Sequence, residues 1–202
     1  MIDPDTRNHL RRALRAERNR LTPAQQARAA QGLAVQLAGT RLFRVARRIA
    51  LYLPNDGEID PVPLMTRVWA MNKTCYLPIL SRLKHDRLWF APYEPDTALA
   101  PNRFGIPEPL VAPRTWLRAP DLDLILMPLV AFDARGNRLG MGGGFYDRSL
   151  AFLRHRGRWH KPHLVGLAHE FQHVEQLETF AWDVPLQAVA TDRAVYHFQQ
   201  QD

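Results

Sequence analysis

The sequence predicts an α/β fold, with a mainly parallel or mixed sheet flanked by helices and two basic helices at the N-terminus. Apolar residues over 1–48 have helical spacing, and after residue 49 short strand-like runs alternate with helical patterns, which is typical of a parallel sheet covered by helices. The chain has 202 residues, 46% hydrophobic and 23% charged. We therefore expect a single domain over 1–202, with a basic helical segment over 1–48 and a sheet-containing core over 49–202.

The first helix of the basic segment is predicted from Leu10, Leu14 and Leu21, which would form one apolar stripe. Residues 1–48 hold eleven arginines and three acidic residues, whereas the net charge of the whole chain is +7. Positive charge is therefore concentrated here, and the rest is nearly neutral. Three interpretations stay open at this point: a lid over a polyanionic small molecule, a nucleic-acid surface, and a solvated arginine-rich helix.

The second helix has clear start and stop signals. Thr22 and Pro23 supply an N-cap and a first-turn proline, Gln25 is the capping-box partner, and Gly39 ends the helix. The predicted inward face consists of Ala27, Ala30, Leu33, Ala34 and Leu37.

Strand-like runs bounded by Pro, Gly or Asp follow at 49–53, 74–77, 88–91, 122–127, 164–168 and 188–191. Helical patterns lie between several of them, one from Pro61 onward with Asp60 as its cap and one over 145–154. The run 121–130 is apolar on both alternating sides, which predicts the central strand. The proline-rich stretch 92–120 is expected to be an irregular loop over the sheet edge, where binding sites are common.

Several classes of protein are disfavoured. The longest apolar runs, such as 124–132, are too short to cross a bilayer, and residues 1–7 do not have the pattern of an export signal. Cys75 has no second cysteine to pair with, and its apolar neighbours place it in the core. We expect a cytoplasmic protein without a membrane partner.

The densest chemical signal is a glycine cluster over 140–144, which follows a predicted buried strand and precedes a predicted helix. This order aims backbone N–H groups and a helix N-terminus at one point, which suits a phosphate. It is neither a dinucleotide-binding fingerprint, because Phe145 stands where the third glycine would fall, nor a Walker A loop. A tight structural turn is the alternative.

Two histidine patterns have ordinary explanations. Residues 169–173 spell HEFQH, the pattern of zinc proteases, but the preceding run is strand-like, so the two histidines would not share a helix face. His155, His160 and His163, with neighbouring arginines, are read as a solvated turn.

Residues 137–148, NRLGMGGGFYDR, preceded by MPLVAFD over 127–133, closely resemble the signature of the 5-formyltetrahydrofolate cyclo-ligase family. Further stretches follow in the family's order: RNHLR over 7–11, LYLPNDGEID over 51–60, NRFGIPEP over 102–109 and WDVP over 182–185. The resemblance implies closure of 5-formyltetrahydrofolate to 5,10-methenyltetrahydrofolate with MgATP, through a phosphorylated formyl group, with release of ADP and phosphate. Its partners would be reduced folate and ATP, and no nucleic acid.

The resemblance also implies roles for individual residues. The catalytic group would be Arg138, Tyr146 and Asp147. The metal ligands would be Asp147 and, as a weaker candidate, Asp183. ATP would bind residues on the N-terminal helix and on the glycine cluster, namely Arg7, Arg11, Arg138, Leu139, Gly140, Met141, Gly142, Gly143, Gly144, Phe145 and Tyr146. Arg7 stands where the family usually has lysine, which keeps the charge but changes the geometry.

The folate would contact Leu53, Glu58, Phe104 and Tyr146, with Glu58 accepting hydrogen bonds from the pterin. Core packing is the alternative for the two aromatic residues, and a helix cap or surface charge is the alternative for Glu58 and Asp183. The other function considered is a non-catalytic RNA-binding protein that uses the basic helices, which charge alone supports.

Overall fold

The computed structural model describes residues 4–80, 87–155 and 161–198. Within these ranges the helices are α1 (Pro4–Arg18), α2 (Pro23–Ala38), α3 (Arg41–Val45), α4 (Val62–Ala70) and α5 (Phe145–Leu150). The strands are β1 (Arg48–Ala50), β2 (Thr74–Leu80), β3 (Leu88–Tyr93), β4 (Leu99–Pro101), β5 (Pro107–Pro109), β6 (Leu124–Pro128), β7 (Ala131–Phe132), β8 (Arg138–Leu139), β9 (His163–Leu167), β10 (Ala188–Ala190) and β11 (Val195–His197).

The main sheet confirms the predicted mixed, mostly parallel α/β architecture. Its strand order is β11-β10-β9-β6-β1-β2-β3. The pairs from β10 to β2 are parallel, and the outermost strands β11 and β3 pair antiparallel. The predicted central strand β6 is the middle strand, and all but its last residue are buried. The chain adds β2 on one side of β1 and β6, β9 and β10 on the other, so the winding direction reverses between β1 and β6.

Successive strand residues point to opposite sides of the sheet, and both sides carry apolar residues that pack against helices. Ile49 and Leu124 pack with α2 and α4 on one face, and Ala50 and Ile125 pack with Leu150 of α5 on the other. A third, smaller core joins α1 to the β7–β8 hairpin.

The two N-terminal helices differ from the predictions in detail. The capping box of α2 is present, with Thr22 accepting from Gln25, and the helix stops before Gly39. Four of the five predicted inward residues are buried, but Ala27, in the exposed first turns of the helix, is not, and Ala29 is buried instead, so the prediction was wrong at Ala27. Helix α1 ends at Arg18, so Leu21 lies outside it.

Other boundaries also moved. Helix α4 begins at Val62, whose N–H is accepted by Asp60 2.9 Å away. The helix predicted over 145–154 is shorter in the structure. Helix α5 ends at Leu150, and the chain continues as a 3-10 turn over Ala151–His155. The proline-rich stretch is not simply irregular, because it contains the β4–β5 hairpin and two 3-10 turns.

The structure confirms the interpretation of the HEFQH pattern, whereas His163 is the first, half-buried residue of β9 and not part of a solvated turn, so that prediction was wrong for His163. His169 follows β9 and Glu170–Gln172 is a 3-10 turn, so His169 and His173 do not share an α-helix. Burial raises the pKa of the Cys75 thiol, as expected for a core cysteine. His160 and its arginine neighbours at 156 and 158 lie outside the described residues. No helix in the described ranges combines the length and the apolar character needed to cross a membrane.

Candidate functional site

A cavity of about 1030 Å³ opens at the carboxyl ends of β1, β2 and β6. Leu53, Pro78 and Leu129 mark where those strands meet it. The cavity therefore lies beside the reversal between β1 and β6, the place where ligands bind in open α/β sheets.

The glycine cluster forms one wall, and we call residues 140–144 the glycine loop. Gly142 and Gly144 have φ of 98° and 64°, a conformation that favours glycine. Two guanidinium groups hold the loop: Arg11 Nε donates to the Gly140 carbonyl at 2.9 Å, and Arg148 Nη2 donates to the Gly143 carbonyl at 2.8 Å. The loop is therefore tied to α1 at one end and to α5 at the other.

Helix α1 supplies a second, cationic wall. Arg7 and Arg11 both line the cavity, as their spacing of four predicts. Arg7 is 9% exposed, lies 3.5 Å from Asp183 and stacks over the Phe180 ring at 4.5 Å. Its Nε and Nη1 atoms are buried and make no hydrogen bond with the described residues, although Nη1 is the atom that faces Asp183. A buried guanidinium with a free N–H group at Nε is suited to an anionic ligand.

Arg138, Asp147 and the Val184 carbonyl form a short chain of contacts at the cavity wall. Arg138 is 9% exposed and donates from its two terminal nitrogens to Val184 O and to Asp147 Oδ1. The same Asp147 oxygen accepts from Val184 N at 3.4 Å. Arg138 is therefore held in place by protein groups before any ligand arrives.

The opposite wall is formed by residues 53–58, which we call the 53–58 turn. Leu53, Asp56 and Glu58 line the cavity. Asp56 and Gly57 have φ of 52° and 72°, so two consecutive residues are left-handed and reverse the chain tightly. The Glu58 carboxylate accepts from Asn55 N at 3.1 Å.

Glu58 is electrostatically unusual for a cavity-lining residue. Burial raises the pKa of Glu58 to about 7, although the bond from Asn55 and the charge of Arg18 oppose this shift. Tyr146 lies close enough to interact with Glu58, and burial raises the pKa of Tyr146 well above its usual value. Glu58 therefore exchanges a proton near neutral pH, and Tyr146 stays protonated.

Aromatic rings close the outer part of the cavity. Phe104, in the β4–β5 hairpin, is 56% exposed and meets the Phe145 ring edge-on at 6.0 Å. Glu108 fixes this hairpin to the end of β2, because its Oε1 accepts from Leu80 N and from Asn102 Nδ2, each at 2.8 Å. Core packing thus does not account for Phe104.

The cavity brings together every predicted site residue except Leu139. Leu139 is fully buried in the third core, because β8 pairs with β7 and turns this side chain away from the cavity. Sequence reasoning missed Arg18, Asp56, Glu108 and Trp182. Only Asp56 had a local signal in the sequence, because the consecutive Asp56-Gly57 is typical of a turn.

The acidic residues fit a magnesium ion that arrives with a nucleotide. The described residues hold no group of three or more side chains suited to a metal, so they do not build a complete protein cage. Asp147 lines the cavity, and its contacts with other described residues fall on Oδ1. Mg²⁺ commonly takes one or two carboxylates and completes its shell with phosphates and water.

Fold and cavity together define an α/β protein with a ligand site at the reversal of its sheet, cationic on one wall and carboxylate-bearing and aromatic on the other. The sequence profile of the 5-formyltetrahydrofolate cyclo-ligase family matches residues 4–192. The chain belongs to this family and is an enzyme.

Individual members of the family are similar to this chain over most of their length. The 5-formyltetrahydrofolate cyclo-ligase of Escherichia coli K12 is 40% identical over 185 residues, which cover 92% of this chain and 100% of the relative. The Haemophilus influenzae protein of the same name is 43% identical over 187 residues, 92% and 97% of the two chains. The NMR structure of Aquifex aeolicus 5,10-methenyltetrahydrofolate synthetase superposes with a TM-score of 0.79 at 30% identity, covering 97% of this chain and 94% of that one.

Proposed function

We propose that this enzyme closes 5-formyltetrahydrofolate to 5,10-methenyltetrahydrofolate with MgATP, releasing ADP and phosphate in the cytoplasm. The observation that carries the proposal is the pairing of two different walls in one cavity. Arg11 and the buried Arg7, whose Nε makes no hydrogen bond with the described residues, lie on one side, and Glu58 with aromatic rings lies on the other. Membership of the family and the names of its relatives support the same reaction.

The chemistry requires both substrates in one place, because the formamide oxygen is a poor leaving group. That oxygen attacks the γ-phosphorus and ADP departs, which leaves an iminium phosphate on N5. N10 then attacks the former formyl carbon, the C–O bond breaks, phosphate leaves with the formyl oxygen, and the N10 proton is lost. Catalysis would consist largely of placing the two reactants in line and neutralising charge.

On this proposal the cationic wall binds the triphosphate. Arg7 would use the Nε donor, which makes no hydrogen bond with the described residues, and the glycine loop would present backbone N–H groups. Arg138 keeps Asp147 oriented and adds positive charge beside the transferred group. Asp147, with Asp183 as the second candidate, would hold magnesium, which supplies charge neutralisation on the phosphate oxygens when bound.

The other wall binds the folate. The ionised Glu58 accepts hydrogen bonds from the pterin amino and ring N–H groups, and Leu53 packs against the ring. Tyr146 and Phe104 form aromatic surfaces for the pterin or the benzoyl ring. Since Glu58 loses its proton near neutral pH, this wall changes charge within the working range.

The arginines of α1 weaken the RNA-binding alternative. Four of the five, Arg7, Arg11, Arg15 and Arg18, are directed to Asp183, Gly140 and Asp56. Arg12 alone on this helix is exposed without such a contact to the described residues, so α1 does not present the open basic face that a phosphate backbone needs.

The proposal is tested by ultraviolet absorbance of purified protein with 5-formyltetrahydrofolate, with and without MgATP, while ADP is assayed in parallel. We expect the methenyl chromophore to appear only with MgATP, with one ADP per product. No chromophore, with a known cyclo-ligase active in the same buffer, would leave the family fold without this reaction.

A further inference from the structure

A buried ionic contact joins the two walls of the cavity. Arg18, the last residue of α1, is 1% exposed. Its Nη2 donates to Asp56 Oδ2 at 2.7 Å, and its Nη1 donates to the Leu129 carbonyl at 3.3 Å, just after β6. One guanidinium therefore contacts the 53–58 turn and the end of the central strand from the helix that carries Arg7 and Arg11.

Asp56 is held from several directions. Arg15 Nε donates to its Oδ2 at 2.6 Å, and Asn19 Nδ2 donates to its Oδ1 at 3.1 Å. These bonds, with that from Arg18, lower the pKa of Asp56 to about 2. All three donors come from α1 or the residue after it, so the last turn of α1 holds this one carboxylate by hydrogen bonds.

The neighbouring Gly57 fits against the same helix end. A Cβ at Gly57 would lie 3.0 Å from the Arg18 backbone, closer than ordinary van der Waals contact, so a side chain here would push against the end of α1. The Gly57 carbonyl accepts from Gln26 Nε2 at 3.1 Å and lies 3.3 Å from His169 Nε2. The turn is therefore fixed to α1, α2 and the end of β9, and a small displacement of α1 must move it.

Helix α1 provides a rigid connection. Arg7 lies eleven residues before Arg18, which is about 16 Å along one helix. Arg11 is bonded to the glycine loop at Gly140. When Arg7 and Arg11 engage an anionic ligand, the helix end that holds Asp56 is constrained as well, and Asp56 lies between the cavity-lining Leu53 and Glu58.

We propose that the Arg18–Asp56 ion pair is a positioning contact that couples nucleotide binding at α1 to folate binding at the 53–58 turn. The inference rests on the proposed function. Neither residue is assigned a chemical step; the pair sets where Glu58 and Leu53 stand when the triphosphate is in place. Coupling of this kind must be reciprocal, so folate would tighten nucleotide binding by the same factor.

The test is the affinity for 5-formyltetrahydrofolate, measured by titration calorimetry with and without a non-hydrolysable ATP analogue and Mg²⁺. In the wild-type protein we expect the analogue to tighten folate binding at least about fivefold. In Asp56→Asn the factor should fall below about twofold, while the affinity for the analogue alone changes less than about threefold. Arg18→Lys, which keeps the charge, should retain more coupling than Arg18→Met.

Asp123→Asn is the matched control. Like Asp56, Asp123 is a carboxylate held by several donors: it accepts from the backbone N–H groups of Arg47 and Arg48 and from the Lys161 ammonium, and its pKa is also lowered despite partial burial. It lies at the amino ends of the strands, away from the cavity. Its substitution should lower the melting temperature without changing the coupling factor, which separates positioning from stability.

The inference fails if folded Asp56→Asn keeps the full wild-type factor, or if the wild-type protein shows none. If the substitutions prevent folding, amide hydrogen exchange of the wild-type protein decides. The nucleotide analogue alone should slow exchange at Glu58 N, which bonds to Asn55 O at 3.0 Å; unchanged exchange contradicts the coupling. Intact turnover without coupling would refute this inference alone, whereas absent folate binding would refute the proposed function too.

Discussion

Glu58→Gln tests whether an ionised carboxylate binds the pterin. With a pKa of about 7, Glu58 would be about one-tenth ionised at pH 6 and about nine-tenths ionised at pH 8. If folate binds the ionised form, the apparent KM for folate should fall about tenfold over this range. The glutamine variant keeps one acceptor oxygen but loses the charge, so its KM should be raised about tenfold at pH 8 and should not vary with pH.

The same group makes stability depend on pH. Burial raises the pKa of Glu58 in the folded protein from 4.5 to about 7, so between these values the folded state holds the proton more tightly than the unfolded state. Stability should therefore decrease as pH rises from 4.5 to 7, by up to about 3 kcal/mol, and then level off. Glu58→Gln should be more stable than the wild-type protein above pH 7 and should lack this slope.

The assays are initial rates of methenyl formation at varied folate and saturating MgATP, and urea unfolding, each from pH 5 to 8.5. A wild-type folate KM that is flat between pH 6 and 8, or an identical profile in Glu58→Gln, would refute the assignment of Glu58 to the pterin. A stability slope unaffected by the substitution would refute the electrostatic reasoning independently.

Three further outcomes follow from the geometry. Asp147→Asn should lower kcat at least about a hundredfold while circular dichroism stays unchanged, because the carboxylate beside Arg138 is lost; full activity would remove Asp147 from the metal assignment. Arg11→Met should raise the ATP KM about tenfold by releasing Gly140, and an ATP KM equal to wild type would exclude that contact from nucleotide binding. The pKa of Asp56 is lowered from 3.8 to about 2 in the folded protein. The ionised carboxylate should therefore stabilise the folded state by about 2 kcal/mol above pH 4, and this contribution should be lost as pH falls to 2. The free energy of unfolding of Asp56→Asn should accordingly depend less steeply on pH between 4 and 2 than that of the wild-type protein.

The parts of the structure that could be predicted are those encoded by nearby residues. The run at β6 is apolar on both sides and is the central strand, and Thr22 with Gln25 forms the capping box. The glycine loop lines the cavity as predicted, because its residues are consecutive in the sequence. Its neighbour Leu139 does not line the cavity, because the β7–β8 pairing, which decides where that side chain points, had no clear local signal.

Long-range contacts explain what was missed. Arg18 continues the buried stripe of Leu10 and Leu14, yet in an arginine-rich helix it reads like any exposed arginine. Its partner Asp56 is 38 residues away, and no local pattern connects them. The β4–β5 hairpin has strands of three residues that contain prolines, so it falls below the length at which strand patterns become visible.

The most direct test of the central claim, that ATP phosphorylates the formyl oxygen within this cavity, uses 5-formyltetrahydrofolate labelled with ¹⁸O in the formyl group. The released phosphate is analysed by mass spectrometry. We predict one ¹⁸O atom in each phosphate, matched one to one with methenyl product. Unlabelled phosphate accompanying methenyl formation would contradict the proposed reaction, because ATP would then have been hydrolysed by water.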